Sequence, residues 1–171
     1  LPEPKPGEAP LYLVAEAIEK PGNLGTMLRT ADACRATALI LCDKGTDLFN
    51  PNVVRASIGT LFTVPVIQCS SAEALAWLRQ HNIKILAATP HTTTLYTDVD
   101  LVQPVAIAVG TEKWGLSEAW MSQADLKVVI PMLGQADSLN VATATSLLLY
   151  EAVRQRSWGK ETRSVSIRDQ D

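Results

Sequence analysis

Six short runs in this chain are apolar almost throughout, not at alternate positions: Leu11–Ile18, Ala38–Cys42, Val64–Cys69, Ile83–Ala88, Val105–Val109 and Leu126–Ile130. A strand with one wet face alternates apolar and polar residues, whereas a strand covered on both faces reads as a continuous apolar run, the mark of a parallel sheet. Helical patterns fill the intervals. Pro21, Gly22 and Asn23 turn the chain into a helix of about four turns, in which Leu24, Met27, Leu28, Ala31 and Cys34 share a face. Further helices are expected around Pro51–Ile58, Ala72–Gln80 and Ser117–Gln123, and a last one carries Val141, Ala144, Leu148 and Ala152 with Leu147 beside them. Strand and helix in alternation predict an α/β fold, a mainly parallel sheet of about six strands with helices on both faces.

The chain of 171 residues, 47% apolar and 19% charged, is long enough for one domain with a real core. Four prolines in residues 1–10 read as an extended linker, residues 11–156 as the domain and residues 157–171 as a polar basic tail. The apolar runs are too short and too interrupted to span a membrane, and no leader pattern is present, so no membrane association is expected. Three cysteines (Cys34, Cys42, Cys69) are an odd number without CxxC spacing, and the two histidines (His81, His91) lie apart from them. That usage points to a reducing, cytoplasmic setting and to no metal. A net charge of −3 gives no overall footprint for a polyanion. Locally, Arg154, Arg156, Lys160, Arg163 and Arg168 face only Glu161, a stretch that suits either a phosphate backbone or a solvated helix end.

Three loops follow strands and therefore gather at one edge of a parallel sheet, where α/β ligand sites form. Asn23-x-Gly25-x-x-x-Arg29 places an amide and a cation near a helix start. Gly110-Thr-Glu-Lys-Trp-Gly115-Leu116 offers the Glu112 carboxylate between two glycines that permit close backbone approach to a ligand. Pro131–Ser138 leaves the apolar end of a buried strand, Val128 to Ile130, and enters the last helix with Ser138 or Asn140 as N-cap. An ordinary βα turn accounts for that last layout equally well. Gly110-x4-Gly115 has the spacing of a phosphate-cradling loop, but Leu116 stands where a lysine is needed, and neither GxGxxG nor GxSxG occurs.

Taken together and in this order, the three stretches resemble the three motifs of the SpoU (TrmH) family of the SPOUT superfamily, RNA 2′-O-ribose methyltransferases. The residues that carry the resemblance are Asn23, Gly25 and Arg29, then Gly110, Glu112, Gly115 and Leu116, then Ile130, Pro131, Met132, Gly134, Ser138, Leu139, Asn140, Val141, Tyr150 and Glu151. Asn50–Gly59 is similar to the family's segment between motifs, and the likeness spans Leu11 to Arg156. Cys34, Arg35 and Ala142 depart from the usual pattern. The resemblance implies a C-terminal region threaded into a deep trefoil knot, which runs against the general rarity of threaded chains. It also implies S-adenosylmethionine as cofactor, S-adenosylhomocysteine as product and no metal.

The implied reaction is in-line attack of a ribose 2′-oxygen on the methyl carbon of a sulfonium, so catalysis rests on alignment, worth about 7–11 kcal/mol in well-oriented pairs. By resemblance Arg29 is the catalytic residue. Because an arginine keeps its proton in a protein, holding the neighbouring phosphate and the forming alkoxide is as good a role for it as that of a base. Asn23, Ser138 and Asn140 are expected to orient Arg29 and the ribose, with Glu112 also in the catalytic set. The backbone at Gly110, Ile130 and Leu139 is expected to hold the adenosine, with Met132 and Thr89 nearby. The expected partner is tRNA or ribosomal RNA, and the family together with the apolar last helix implies a homodimer. The linker at residue 1, the absent initiator methionine and the net charge lead to the expectation of an N-terminal RNA-binding domain missing from this chain. The alternative is a knotted RNA- or nucleotide-binding module without catalysis.

Overall fold

The structure is a computed structural model and describes residues 4, 7–43 and 45–157. The elements run β1 (Leu11–Glu16), α1 (Pro21–Ala33), β2 (Ala38–Cys42), α2 (Pro51–Ser57), β3 (Val66–Cys69), α3 (Ser71–Gln80), β4 (Lys84–Ala88), β5 (Val105–Val109), α4 (Glu118–Gln123), β6 (Leu126–Val128) and α5 (Val141–Ser157). The strands form one sheet in the order β3-β2-β1-β5-β4-β6, and every pairing is parallel. The expected α/β class holds, with the sheet entirely rather than mainly parallel.

Because side chains alternate across a strand, the apolar runs supply two cores at once. Leu11, Leu13 and Ala15 of β1 and Val105, Ile107 and Val109 of β5 pack with α1, α2 and α5. Tyr12, Val14, Ala106 and Ala108 face the other way, onto Leu75, Leu78 and Trp120 of α3 and α4. Trp120 is fully buried, and its indole N–H donates to Ser71 Oγ at 2.7 Å. The buried Glu16 accepts from the Ser117 amide at 2.7 Å and from Ser71 Oγ at 3.3 Å, tying the end of β1 to the starts of α3 and α4. Among the described residues no helix is long and apolar enough to cross a membrane.

Several boundaries move for local reasons. β1 stops at Glu16 because Ala17 takes a left-handed conformation, φ 51°. Pro21, Gly22 and Asn23 are the first turn of α1, not a turn before it: Pro21 is pre-set for a first helical position, where its missing N–H costs nothing. The same helix ends at Ala33 because Arg35 is left-handed, φ 52°, so Cys34–Thr37 lie outside it. β6 is the larger correction. It is a three-residue, half-exposed edge strand, not the end of a fully buried one. Its continuation is secured by the segment after β4: Thr89 N–H donates to Val128 O at 3.0 Å, Val129 N–H to Thr94 O at 2.9 Å and Tyr96 N–H to Val129 O at 3.1 Å.

The sheet order sends the chain from β5 past β4 to β6, after which α5 returns to pack on α1 and β5. Its last turn is held by the segment before β5. Gln155 bonds Leu101 N–H at 2.8 Å and Val99 O at 3.0 Å. Arg156 donates to the carbonyls of Leu101, Gln103, Ala9 and Pro10, which fixes the last two residues of the proline-rich segment to the domain. Arg154 pairs with Glu151 at 2.7 Å. Two of the five basic residues in the stretch from Arg154 to Arg168 therefore serve the fold, while Lys160, Arg163 and Arg168 lie outside the described residues.

Candidate active site at the C-terminal edge of the sheet

In a parallel sheet every strand ends at the same edge, so the segments after β1, β4, β5 and β6 meet there. Glu112 is the hub. Its Oε1 accepts from Asn140 Nδ2 at 2.7 Å and from Asn23 Nδ2 at 3.2 Å, and its Oε2 pairs with the Lys20 ammonium. Asn140 Nδ2 also reaches Asn23 Oδ1 at 3.1 Å. Three loops distant in sequence are thus joined through one carboxylate. The Lys20 hydrogen bond, then the Asn23 amide and the Val141 backbone N–H, hold the Glu112 carboxyl below the ordinary carboxylate value of 4.5. An anion placed against the first turn of α5 also suits the dipole of that helix.

Asn140 has a second task. Its Oδ1 accepts from Ala142 N–H at 2.9 Å and Thr143 N–H at 3.4 Å, the geometry of an N-cap. Of the two expected caps it is Asn140 that serves, and Ser138 lies exposed two residues before it. The amide therefore points its oxygen at the helix and its nitrogen at Glu112.

The loop that presents Glu112 is closed on itself. Thr111 and Gly115 exchange backbone hydrogen bonds at 3.0 and 2.9 Å, and Trp114 N–H donates to Thr111 Oγ1 at 2.9 Å. A Cβ on Gly110 would stand 2.0 Å from the Gly115 carbonyl oxygen and 2.4 Å from the Leu116 nitrogen, while Gly115 has φ +70°. Both glycines serve the closure of this loop. Gly25 likewise admits another part of the fold, since a Cβ there would meet Ala56 Cβ of α2 at 2.4 Å.

The segment after β6 behaves in the opposite way. Among the described residues, Ile130 to Leu139 make no hydrogen bond, backbone or side chain. Ile130, Met132 and Leu139 are half-buried in this run, so apolar contact and unpaired amides and carbonyls occur together. Most of the run is exposed, so its backbone groups are left to solvent, and a loop that leaves them so can offer them to a ligand. Thr89 is buried beside it at the end of β4, its hydroxyl accepting from His91 N–H at 3.2 Å.

Arg29 lies on the exposed side of α1. No hydrogen bond or ion pair within the described residues engages it, and the Asn23 and Asn140 amides that were expected to orient it hold Glu112. Lys20 was missed in the sequence. Its signal was present, because a residue three before Asn23 falls one helical turn away on the same side.

The buried thiols and His81 serve the fold. Burial pushes the Cys34 thiol up to about 11 and the Cys42 thiol well above its ordinary value, so neither is a thiolate nucleophile. His81 stacks on Trp77 at 4.2 Å and bonds Trp77 O at 2.8 Å. Among the described residues no group of His, Cys, Asp and Glu is placed to hold a metal.

The chain is similar to known proteins over most of its length. The family model of the SpoU rRNA methylase family matches residues 10–150. The 23S rRNA (uridine(2479)-2′-O)-methyltransferase of Streptomyces viridochromogenes is 39% identical over 146 residues, covering 82% of this chain and 51% of that protein. The 23S rRNA (guanosine(2553)-2′-O)-methyltransferase RlmP of Bacillus subtilis is 35% identical over 150 residues, covering 88% and 60%. The chain thus spans about half to three fifths of the length of these relatives. Among solved structures, an RNA 2′-O ribose methyltransferase superposes with TM-score 0.84 at 49% identity, covering 91% of this chain and 60% of that one. The SpoU methyltransferase AviRb from Streptomyces viridochromogenes in complex with AdoMet gives 0.83 at 37% identity, covering 87% and 61%. A family match over most of the domain, on a fold that superposes this closely, shows that the chain belongs to the SpoU rRNA methylase family.

Proposed function

We propose that this chain carries the methyl-transfer site of an RNA ribose 2′-O-methyltransferase that uses S-adenosylmethionine and releases S-adenosylhomocysteine. The observation that carries the reading is the run from Ile130 to Leu139, whose groups make no hydrogen bond among the described residues, in a chain similar to a protein solved in complex with AdoMet. Unpaired backbone groups beside half-buried apolar side chains fit an adenosine, which needs both. In this reading the backbone at Gly110, Ile130 and Leu139 holds the nucleoside, with Met132 and Thr89 against it. When bound, the cofactor supplies a sulfonium-linked methyl group as electrophile and departs as a neutral thioether.

The protein's own groups then align the ribose. Arg29, a fixed positive charge with no hydrogen-bond or ion-pair partner among the described residues, can hold a phosphate and the oxygen that becomes negative as it attacks. Glu112 acts as an anchor. A carboxylate held below its usual range by an ammonium and two amides is a weak proton acceptor, so its contribution is to fix Asn23 and Asn140, with Ser138 on the open side of the loop. RNA is the substrate class, and both curated relatives described above are named for 23S rRNA.

The knotted C-terminal region belongs to the same proposal, supported by the grip of Gln155 and Arg156 on residues 99–103. So does a homodimer, for which Leu147 and Tyr150 on the outer side of α5 are exposed; sedimentation as a monomer at micromolar concentration would contradict it. Three free thiols suit a reducing, cytoplasmic compartment. The primary test is calorimetry with S-adenosylhomocysteine: binding is expected, and no heat from a folded sample would remove the assignment.

A further inference from the structure

We propose that Trp114 is a base-stacking platform at the mouth of this site, so that the site takes an unstacked nucleotide from single-stranded RNA rather than a base pair within a duplex. The inference rests on the RNA reading above. Exposed apolar side chains scattered singly need no explanation. Here the two most exposed large ones in the described residues, Leu133 at 97% and Trp114 at 78%, sit on the two loops that meet at Glu112 and Asn140.

The backbone that carries Trp114 is also held in place. Its loop is closed by the Thr111–Gly115 hydrogen bonds, its own N–H is bound to Thr111 Oγ1, and Gly110 packs that loop backbone to backbone. A side chain on a fixed backbone loses less freedom when a ring stacks on it than one on a mobile loop, which must first be ordered. The Lys113 ammonium lies over the indole, 4.6 Å from the ring centre, so the ring already carries a cation next to its π surface. A flat π surface with a cation next to it matches a ligand that is both a planar ring and an anion, and a nucleotide is that ligand. Inside an A-form duplex each base is already stacked on its neighbours and has no face to give, so the ring that meets Trp114 comes from an unpaired segment.

The test uses the full chain and a labelled twelve-nucleotide RNA, single-stranded or annealed to its complement, with affinity read by fluorescence anisotropy at one salt concentration. Trp114→Ala is expected to weaken the single strand about tenfold, which is about 1.4 kcal/mol. Trp114→Phe, which keeps an aromatic face, is expected to stay within about threefold of the parent, and the duplex to change little with either variant. An Ala variant within threefold of the parent on the single strand overturns the proposal, as does an equal loss on the duplex or no measurable single-strand binding by the parent chain. Loss of S-adenosylhomocysteine affinity in Trp114→Ala would assign the indole to the cofactor, and a changed sedimentation coefficient would assign it to an interface; either overturns it. If the parent chain binds no S-adenosylhomocysteine, the methyltransferase reading fails instead, while the RNA measurements, made without cofactor, still decide the role of Trp114.

Discussion

Asn140 stands where helix capping and site architecture converge, and substitution separates the two. In Asn140→Ala the cap on α5 is lost, because Oδ1 no longer accepts from Ala142 and Thr143; removal of such a cap costs about 1 kcal/mol. The bonds from Nδ2 to Glu112 and Asn23 are lost as well. They are exposed, so together they contribute about another 1 kcal/mol. The sum is about 2 kcal/mol, and in a chain of this size the thermal midpoint falls by about 4–8 °C. Asn140→Ser keeps a hydroxyl that can cap but has no amide to reach Glu112, so its midpoint falls by only about half as much. Methyl transfer to total RNA, followed with labelled S-adenosylmethionine, is expected to drop to a similar low level in both variants, since both remove the bond from Asn140 to Glu112. Equal destabilisation by Ser and Ala would show that the cap is not made by the side chain. Wild-type turnover in the Ser variant would show that the amide does not organise the site, and the account of Glu112 as anchor would have to be abandoned.

Gly110→Ala is expected to lose about 3 kcal/mol or more in urea unfolding, because its Cβ would stand 2.0 Å from a backbone oxygen; Gly134→Ala, with nothing within 4 Å, is expected within about 0.5 kcal/mol of the parent. The Glu112 carboxyl, depressed when folded chiefly by Lys20, contributes stability that is present above the ordinary carboxylate range and is lost as pH falls through its lowered value. Titration by carbon NMR should find it below 4.5, and Lys20→Met should move it upward; an unmoved value would remove Lys20 as the cause. Arg29→Ala should abolish methyl transfer while S-adenosylhomocysteine affinity stays within a few-fold, and Arg29→Lys should also fail because an ammonium does not reproduce the guanidinium fork; loss of cofactor binding would place Arg29 on the wrong ligand.

Much of this architecture is legible along the chain, because its causes are local or periodic. Runs such as Val105–Val109 are apolar on both faces whatever their neighbours are, so their parallel, doubly covered placement follows from composition alone. The three motif loops had to share one sheet edge once the strands were parallel. Sequence order could not decide strand order. β4 lies between β5 and β6, which makes β6 an edge and puts its continuation beside Thr89 and Tyr96. Pairing in that order depends on long-range contacts that no window of residues contains. The same holds for the hub at Glu112. Asn23, Glu112 and Asn140 were each visible as polar residues in loops, but that Lys20 closes the carboxylate and that Asn140 divides its amide between cap and hub depends on three loops meeting within hydrogen-bond reach. The conformational demand at Gly110 shows the division most directly. Its glycine was evident in the sequence, whereas the reason for it, a backbone oxygen from five residues ahead standing where a side chain would go, exists only once the loop has closed.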